Sequence, residues 1–343
     1  MRNRAWACVA LSEDLSGLQC VEWPLPELGP HDVRLRVRAA ALNFPDLLMT
    51  RGRYQHKPPL PFVAGMECAG EVEAVGSAVQ RWRPGDRVCF NAHGGAFIER
   101  LVASESMLRP LPAGMDFAEG AAYGVTAITA WVALVRRGAL QRGETLLVHG
   151  AGGGTGLAAV QLGHHLGATV IATGSSLHKL EAARAAGADH LLQVRDGAAG
   201  LANEVKQLTG GRGADVVFDP VGGDLFDASV HCIAWGGRLL VIGFAGGRIA
   251  TLPSNLALIK GFSVVGVRAG EYGRRDPVRG EENRLAIEAL AAQGVFRPPI
   301  GARFVFEQAK EAYRALAERR MAGKIVIELP CDQKQVTIAS TTS

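Results

Sequence analysis

The sequence predicts an α/β chain. A doubly wound parallel sheet is joined to a second, smaller β-rich part with the character of a barrel. Three observations predict it. From about residue 143 apolar strands alternate with helical stretches, the pattern of βαβ units and a parallel sheet. Before that, short strands follow one another closely with Pro/Gly punctuation, which suggests a small barrel-like β domain. Glycine makes up 43 of the 343 residues, well above the usual share of about 7%, and five of these fall between Gly150 and Gly156. At about 100–200 residues per domain the length suggests two domains.

In the first third, Val33–Ala39 alternates apolar and charged residues with period two, a half-buried strand with its Arg face in water. Glu71–Val75 repeats the pattern. Arg83-Pro84-Gly85-Asp86 is a turn, and Arg87–Phe90 a further strand. The middle then reads as strand Thr145–His149, helix Leu157–Leu166 closed by Gly167, strand Thr169–Ala172, and helix Leu177–Ala186 closed by Gly187. It continues with strand His190–Leu192, helix Leu201–Leu208, strand Asp215–Asp219, helix Leu225–Trp235, strand Arg238–Ile242 and a sixth strand over Phe262–Val267. The apolar strands fit a sheet covered on both faces. After Gly270 come an Arg-rich turn (Arg274, Arg275, Arg279), a long helix through Ala292, a helix near Phe306–Ala317 and the strand Lys324–Leu329. Residues 331–343 read as a polar, flexible tail.

Composition narrows the function. The chain is 48% hydrophobic and 20% charged, too apolar for disorder. A net charge of +4 with acids interleaved among the bases gives no argument for nucleic acid, and no basic patch rich in aromatics supports RNA. Six Cys without a CxxC make a poor disulfide framework and a poor zinc motif; reduced thiols in a cytoplasmic protein are the simplest reading. The N-terminus lacks a secretory apolar region, and no uncharged apolar run reaches the ~18 residues of a membrane span.

The most informative motif is Gly150-Ala151-Gly152-Gly153-Gly154-Thr155-Gly156, set between a predicted strand and a predicted helix. Counted back from Gly156 it reads Ala151-x-Gly153-x-x-Gly156. A residue without a side chain lets backbone approach a pyrophosphate, and the helix start offers free N–H groups and the positive dipole end. The last Gly permits close helix–strand packing. The alternative is an ordinary tight turn. After the second strand an Asp or Glu would hold the ribose 2′-OH of NAD; here Ala172–Lys179 contains none. Ser175, Ser176 and Lys179 instead suit a 2′-phosphate, so NADPH is the expected cofactor. Lys179 reads equally as a solvated helix lysine.

These residues, with Ala41–Asp46, Arg51–Tyr54, Gly65–Gly70, Pro84–Val88, Asp219–Gly223 and Gly323–Val326, resemble the medium-chain dehydrogenase/reductase superfamily. Within it they are most similar to the zinc-free NADPH:quinone oxidoreductase (zeta-crystallin-like) branch. The resemblance implies a GroES-like catalytic domain in two pieces, residues 1–124 and 266–330, around a Rossmann domain at 125–265, with the active site in the cleft. It implies a homodimer acting on a small-molecule substrate, with no membrane or nucleic-acid partner. Zinc-dependent members carry Cys where this chain has Asn43 and His-Glu where it has Met66-Glu67; amide and thioether are poor zinc ligands, so no metal is expected. The chemistry then moves from alcohol oxidation toward reduction of a quinone or an activated C=C.

The resemblance places Asn43 beside the nicotinamide ribose and carboxamide, though it also reads as a turn Asn. Asp46 matches a neighbouring family acid, or is a helix N-cap or first-turn acid. Tyr54 matches a cleft Tyr that holds a substrate carbonyl or gives a proton; otherwise it packs with its hydroxyl at the surface. Thr126 and Thr129 approach the cofactor, or bond their own helix backbone. Phe244-Ala245-Gly246 lies at the carboxyl edge of the sheet, where ligands bind, or is a plain turn. His149 reads as a core residue and His93 as a loop His. The basic residues of 268–279 read as an anion subsite or a solvated rim. Alternatives to quinone reduction are an enoyl-thioester or 2-alkenal reductase using Tyr54, and a nucleotide-binding regulatory or RNA-binding protein with little turnover.

Overall fold

The computed structural model describes residues 2–194 and 196–330; the tail expected at 331–343 lies outside them. In chain order, β1 (Arg4–Cys8), β2 (Leu18–Glu22), β3 (Asp32–Leu42), α1 (Phe44–Thr50), β4 (Phe62–Val63), β5 (Glu67–Val75), β6 (Arg87–Asn91), β7 (Arg100–Ser104) and β8 (Leu108–Pro110) form the first part. α2 (Phe117–Trp131) then leads to β9 (Thr145–Val148), α3 (Gly154–His165), β10 (Thr169–Gly174), α4 (Leu177–Ala185) and β11 (His190–Gln193). The other half of the parallel sheet follows as α5 (Leu201–Leu208), β12 (Ala214–Asp219), α6 (Asp224–Cys232), β13 (Ile233–Val241), α7 (Ser254–Lys260) and β14 (Ser263–Gly266). The chain closes with α8 (Ala269–Arg275), α9 (Pro277–Ala292), β15 (Ile300–Val305), α10 (Ala309–Glu318) and β16 (Lys324–Glu328).

The six-stranded sheet runs β11-β10-β9-β12-β13-β14, with every neighbouring pair parallel. This is the doubly wound order whose direction reverses at β9, so the loops after β9 and β12 open a crevice at the strands' carboxyl ends. The β-rich part has a seven-stranded sheet in which β15 and β16 extend the row β3-β5-β6-β8 and β7 also pairs with β3. Val326 and Ile327 of β16 stand opposite Ala41 and Ala40 of β3. The C-terminal strands therefore complete a sheet begun some 280 residues earlier. The 21-residue helix Phe117–Arg137, α2 with its π-type end, is long and apolar enough to cross a bilayer. It packs instead against β3, β5 and α3, its small residues Gly120, Ala121, Ala122 and Ala127 buried between the two sheets. The division expected at 124/125 falls inside this helix.

Three local expectations are corrected. The helix expected over Leu225–Trp235 stops at Cys232, and β13 begins at Ile233. Ile233 pairs with Ala214, the ladder shifts register, and Trp235 stands 80% exposed, so strand pairing overrides a locally helical pattern. The Arg-rich turn is the helix α8. Its charges are spaced so that Arg274 and Arg275 reach back three and four residues to Glu271, at 2.6 and 2.9 Å, the spacing that brings side chains together on a helix face. The Arg face of β3 is not left to water: Arg34, Arg36 and Arg100 converge on the Glu73 carboxylate at 2.9–3.1 Å.

Candidate active site

The phosphate loop sits where the sheet reverses. Gly150 takes a left-handed conformation (φ 57°), the Ala151 amide donates to the Thr173 carbonyl at 3.0 Å, and Gly153 caps α3. The first amides of α3 lack intrahelical acceptors and are free for an anion. The glycines do different jobs. A Cβ on Gly152 would come within 2.5 Å of Lys179 Cβ, one on Gly154 within 2.6 Å of Lys324 Cδ, and one on Gly156 would strike the Gly150 carbonyl. At Gly153 the nearest atom is 3.4 Å away. Gly152, Gly154 and Gly156 thus permit packing within the protein, while Gly153 and the half-buried Thr155 face outward.

Around the loop lie the other residues singled out from the sequence. Thr126 is buried with its methyl against Gly154. Its hydroxyl donates to the Tyr123 carbonyl at 2.9 Å, as that of Thr129 does to Val125 at 2.7 Å; both protons are committed to the helix. Ser175 is exposed, and Ser176 precedes α4 without a side-chain cap bond. The Lys179 ammonium donates to the Arg319 carbonyl, where the sequence expected a free cation. Burial, then the Arg319 guanidinium, pull its pKa down. Phe244, Ala245 and Gly246 form the loop after β13, tied to the loop after β12 by Ala245 N–H to Pro220 O (3.0 Å) and Gly246 N–H to Val221 O (2.8 Å). His149 is a core residue, bonded to Thr173 and Ser229.

The centre of the site is a buried polar cluster that the sequence reading identified only in part. The Asn43 amide nitrogen donates to Glu67 Oε1 at 2.9 Å. The Lys324 ammonium, 4% exposed, donates to Asn43 Oδ1 at 2.7 Å and to Glu67 Oε1 at 2.8 Å. Glu67 Oε2 accepts from the Val125 amide at 2.9 Å and from Asn91 Nδ2 at 3.3 Å. Lys324 comes from β16, some 280 residues from Asn43 in sequence; the register of β16 against β3 carries it there. Its signal in the sequence was a lysine opening a strand whose next three residues are apolar.

Asp46 is a first-turn acid of α1. Its Oδ2 accepts the Asn43 backbone N–H at 2.8 Å, and it is buried. Burial raises its carboxyl from 3.8 to about 7, against the pull of the Asn43 amide and Lys324. The folded chain therefore holds this proton more tightly than the unfolded one. The stability it contributes is complete below 3.8 and is lost as pH rises through about 7. Asp46→Asn is expected to remove that decline: the parent should lose on the order of 4 kcal/mol more than the variant between pH 4 and 8, read from melts across that range. Equal losses would show that Asp46 does not titrate there. Tyr54 is half-buried beside Met49, Phe62 and Met66, and burial raises its phenol. His56 and His93 stack with ring centroids 4.7 Å apart.

Chemically, the site joins an anion cradle to an oriented amide, a neutralised carboxylate and a protonated phenol. Among the described residues no three His, Cys, Asp or Glu side chains gather as a metal set.

Two family models match: the alcohol dehydrogenase GroES-like domain over residues 29–113 and the zinc-binding dehydrogenase over 154–290. Quinone oxidoreductase-like protein 2 of Mus musculus is 36% identical over 327 residues, covering 95% of this chain and 92% of its own. Quinone oxidoreductase of Pseudomonas aeruginosa is 38% identical, over 88% of this chain and 92% of its own. A mycobacterial protein solved in complex with NADPH superposes with a TM-score of 0.85 at 29% identity, over 95% of this chain and 99% of its own. The GroES-like part, the Rossmann sheet and relatives matched over nearly their whole length identify an oxidoreductase, and the chain belongs to the quinone oxidoreductase branch of the medium-chain dehydrogenase/reductase superfamily.

Proposed function

We propose that the protein is a zinc-independent, NADPH-dependent reductase of quinones or related electron-poor carbonyl compounds. The observation that carries this reading is the Lys324 ammonium 2.8 Å from Glu67. The carboxylate already has its cation, and a dication beside it would meet that ammonium and the Asn43 amide. Cys68 does not supply the missing ligand: it follows Glu67 on β5, so its side chain leaves the opposite face of the strand and packs in the apolar core of the β-rich part. These residues do not fit zinc.

They fit a dinucleotide. The loop from Gly150 to Gly156 would hold the pyrophosphate on the free amides of α3, and Asn43 and Thr126 would border the nicotinamide end. Ser175, Ser176 and Lys179 would meet the 2′-phosphate. Arg319 joins this group: it lies close enough to lower the Lys179 pKa, and two cations favour a phosphate over a free hydroxyl. Phe244, Ala245 and Gly246 would cover the far side. Bound NADPH supplies the hydride. A quinone then takes its proton from solvent, whereas an enal or enoyl thioester needs one delivered to carbon or enolate, and the Tyr54 phenol is the donor at hand.

An NADPH-oxidation screen across quinones, enals and enoyl-CoAs tests the reading. NADPH should exceed NADH by about tenfold or more in kcat/KM, the scale of one lost charge-assisted contact. Tyr54→Phe should spare quinones and slow enals by about 10²-fold. Equal use of both cofactors would remove the 2′-phosphate assignment, and unchanged enal rates would remove Tyr54 from proton transfer.

We also propose a homodimer through β14. It is one of the two edge strands of the parallel sheet, paired among the described residues with β13 alone, and exposed Trp235, Leu258, Ile259 and Val264 lie on or near this end of the sheet. An uncovered apolar edge invites strand pairing. Sedimentation equilibrium at micromolar concentration should give twice the chain mass; a monomer would refute it.

A further inference from the structure

We infer that Lys324 is a positioning residue for the proposed hydride transfer: it holds the Asn43 amide in one orientation and ties that orientation to the phosphate loop. The inference rests on the reading of Asn43 given above.

The geometry is a closed triangle. Lys324 donates to Asn43 Oδ1 (2.7 Å) and to Glu67 Oε1 (2.8 Å), and Asn43 Nδ2 donates to the same Glu67 oxygen (2.9 Å). An ammonium can only donate, so the amide atom facing it must be oxygen. The carboxylate can only accept, so the atom facing it must be nitrogen. The two ions together exclude the flipped amide, which would set N–H against ammonium and C=O against carboxylate. Asn43 gives Glu67 one N–H and keeps a second for a ligand.

The same lysine is seated on the phosphate loop. The Gly323 amide donates to the Gly152 carbonyl at 2.8 Å, and Gly323 bridges Gly153 in parallel. The Lys324 chain lies where a Gly154 Cβ would be, 2.6 Å from its Cδ. Gly323 is left-handed (φ 83°), and a Cβ there would strike the Pro299 carbonyl. The chain thus passes from the loop to the Asn43 clamp within two residues. A buried ion pair is a poor source of stability compared with an apolar pair of the same size, and orienting Asn43 is what this pair does that an apolar one would not.

The test uses the full chain with NADPH and the paired substitution Lys324→Met/Glu67→Gln, which removes both charges and so strands neither. The NADPH Kd from fluorescence titration should stay within about threefold, because the Gly323 N–H to Gly152 O bond remains and the methionine chain keeps the packing against Gly154. The emission of bound NADPH should move toward that of the free cofactor, and kcat for the best quinone should fall about tenfold at an unchanged NADPH KM, the signature of lost positioning. In an Asn43→Ala background the same pair should change kcat less than about twofold, because the amide to be positioned is gone. Parent-like emission and kcat would overturn the inference. So would a kcat loss that persists undiminished without Asn43, or a loss explained by a higher NADPH Kd. If the pair fails to fold, Lys324→Arg carries the test: the charge stays but its donors move, and unchanged bound emission would overturn the inference. A parent that binds NADPH but reduces none of the screened acceptors would sink the proposed function while the emission comparison still stands.

Discussion

Glu67→Ala should lower the melting temperature of the chain by about 4–7 °C. Glu67 is 1% exposed and accepts from Lys324, Asn43, Asn91 and the Val125 amide. Among the described residues, its removal leaves the buried Lys324 ammonium with Asn43 Oδ1 as its remaining acceptor. Stranding one partner of a buried ion pair costs about 3–5 kcal/mol, and at roughly 1.4 °C per kcal/mol, from an unfolding entropy of about 2.1 cal/mol/K per residue, the loss reads in a thermal melt. The double variant Lys324→Met/Glu67→Gln should recover most of it, because the cost lies in an uncompensated charge rather than in the contact itself. A Glu67→Ala protein melting within about 3 °C of the parent would show that Lys324 is solvated by other means and that the cluster is not the closed unit described here.

Gly156→Ala should weaken NADPH binding by about 10- to 100-fold. A Cβ there meets the Gly150 carbonyl and comes within 2.7 Å of Ala151 Cα. Both are backbone atoms of the loop itself and cannot rotate away, so α3 must move off its strand or the loop must open. Overpacking of this kind costs about 1–3 kcal/mol, and up to two decades of affinity follow if the loop absorbs it. Its melting temperature should fall as well. Gly153→Ala is the contrast: with 3.4 Å of clearance and φ −86° the free chain should melt like the parent, while a methyl group facing the pyrophosphate still weakens binding. Fluorescence titration and melts of the two variants separate a glycine required by the fold from one required by the ligand. Parent-like NADPH affinity in Gly156→Ala would remove the loop from the binding site.

Much of the fold was legible in the sequence because its signals are local. Each βα unit carries its own apolar strand and its own capping glycine: Gly167 and Gly187 both take the left-handed conformation that ends a helix. α5 spans the same residues the pattern predicts. The errors fall where tertiary pairing outweighs local pattern. Ile233–Trp235 looks helical in sequence and is claimed by β12. The run Ala269–Arg275 looks like a polar turn, and becomes a helix once Glu271 gathers the arginines around it.

The site divides along the same line. The phosphate loop is contiguous, and its spacing alone marks a strand–turn–helix unit with free amides. Asn43 and Asp46 were visible as positions, but not what they touch. Asp46 is a buried acid held near neutrality by its surroundings, which no spacing rule contains. Lys179, expected to wait for a phosphate, is bonded to the Arg319 carbonyl of a segment 140 residues away. Lys324 was absent from the candidates because its partners Asn43 and Glu67 lie some 260–280 residues away, and no local spacing joins it to them.

The sequence by itself determined the class of this protein: a parallel sheet with a glycine-rich dinucleotide-type loop and no acid after the second strand. These follow from residue type and short spacing, which set turns, helix starts and ligand chemistry directly. Only the tertiary structure decided how the ends of the chain meet. Register between β3 and β16 brings Lys324 onto Asn43 and Glu67, because a strand's side-chain direction is set by its partner rather than by its own residues.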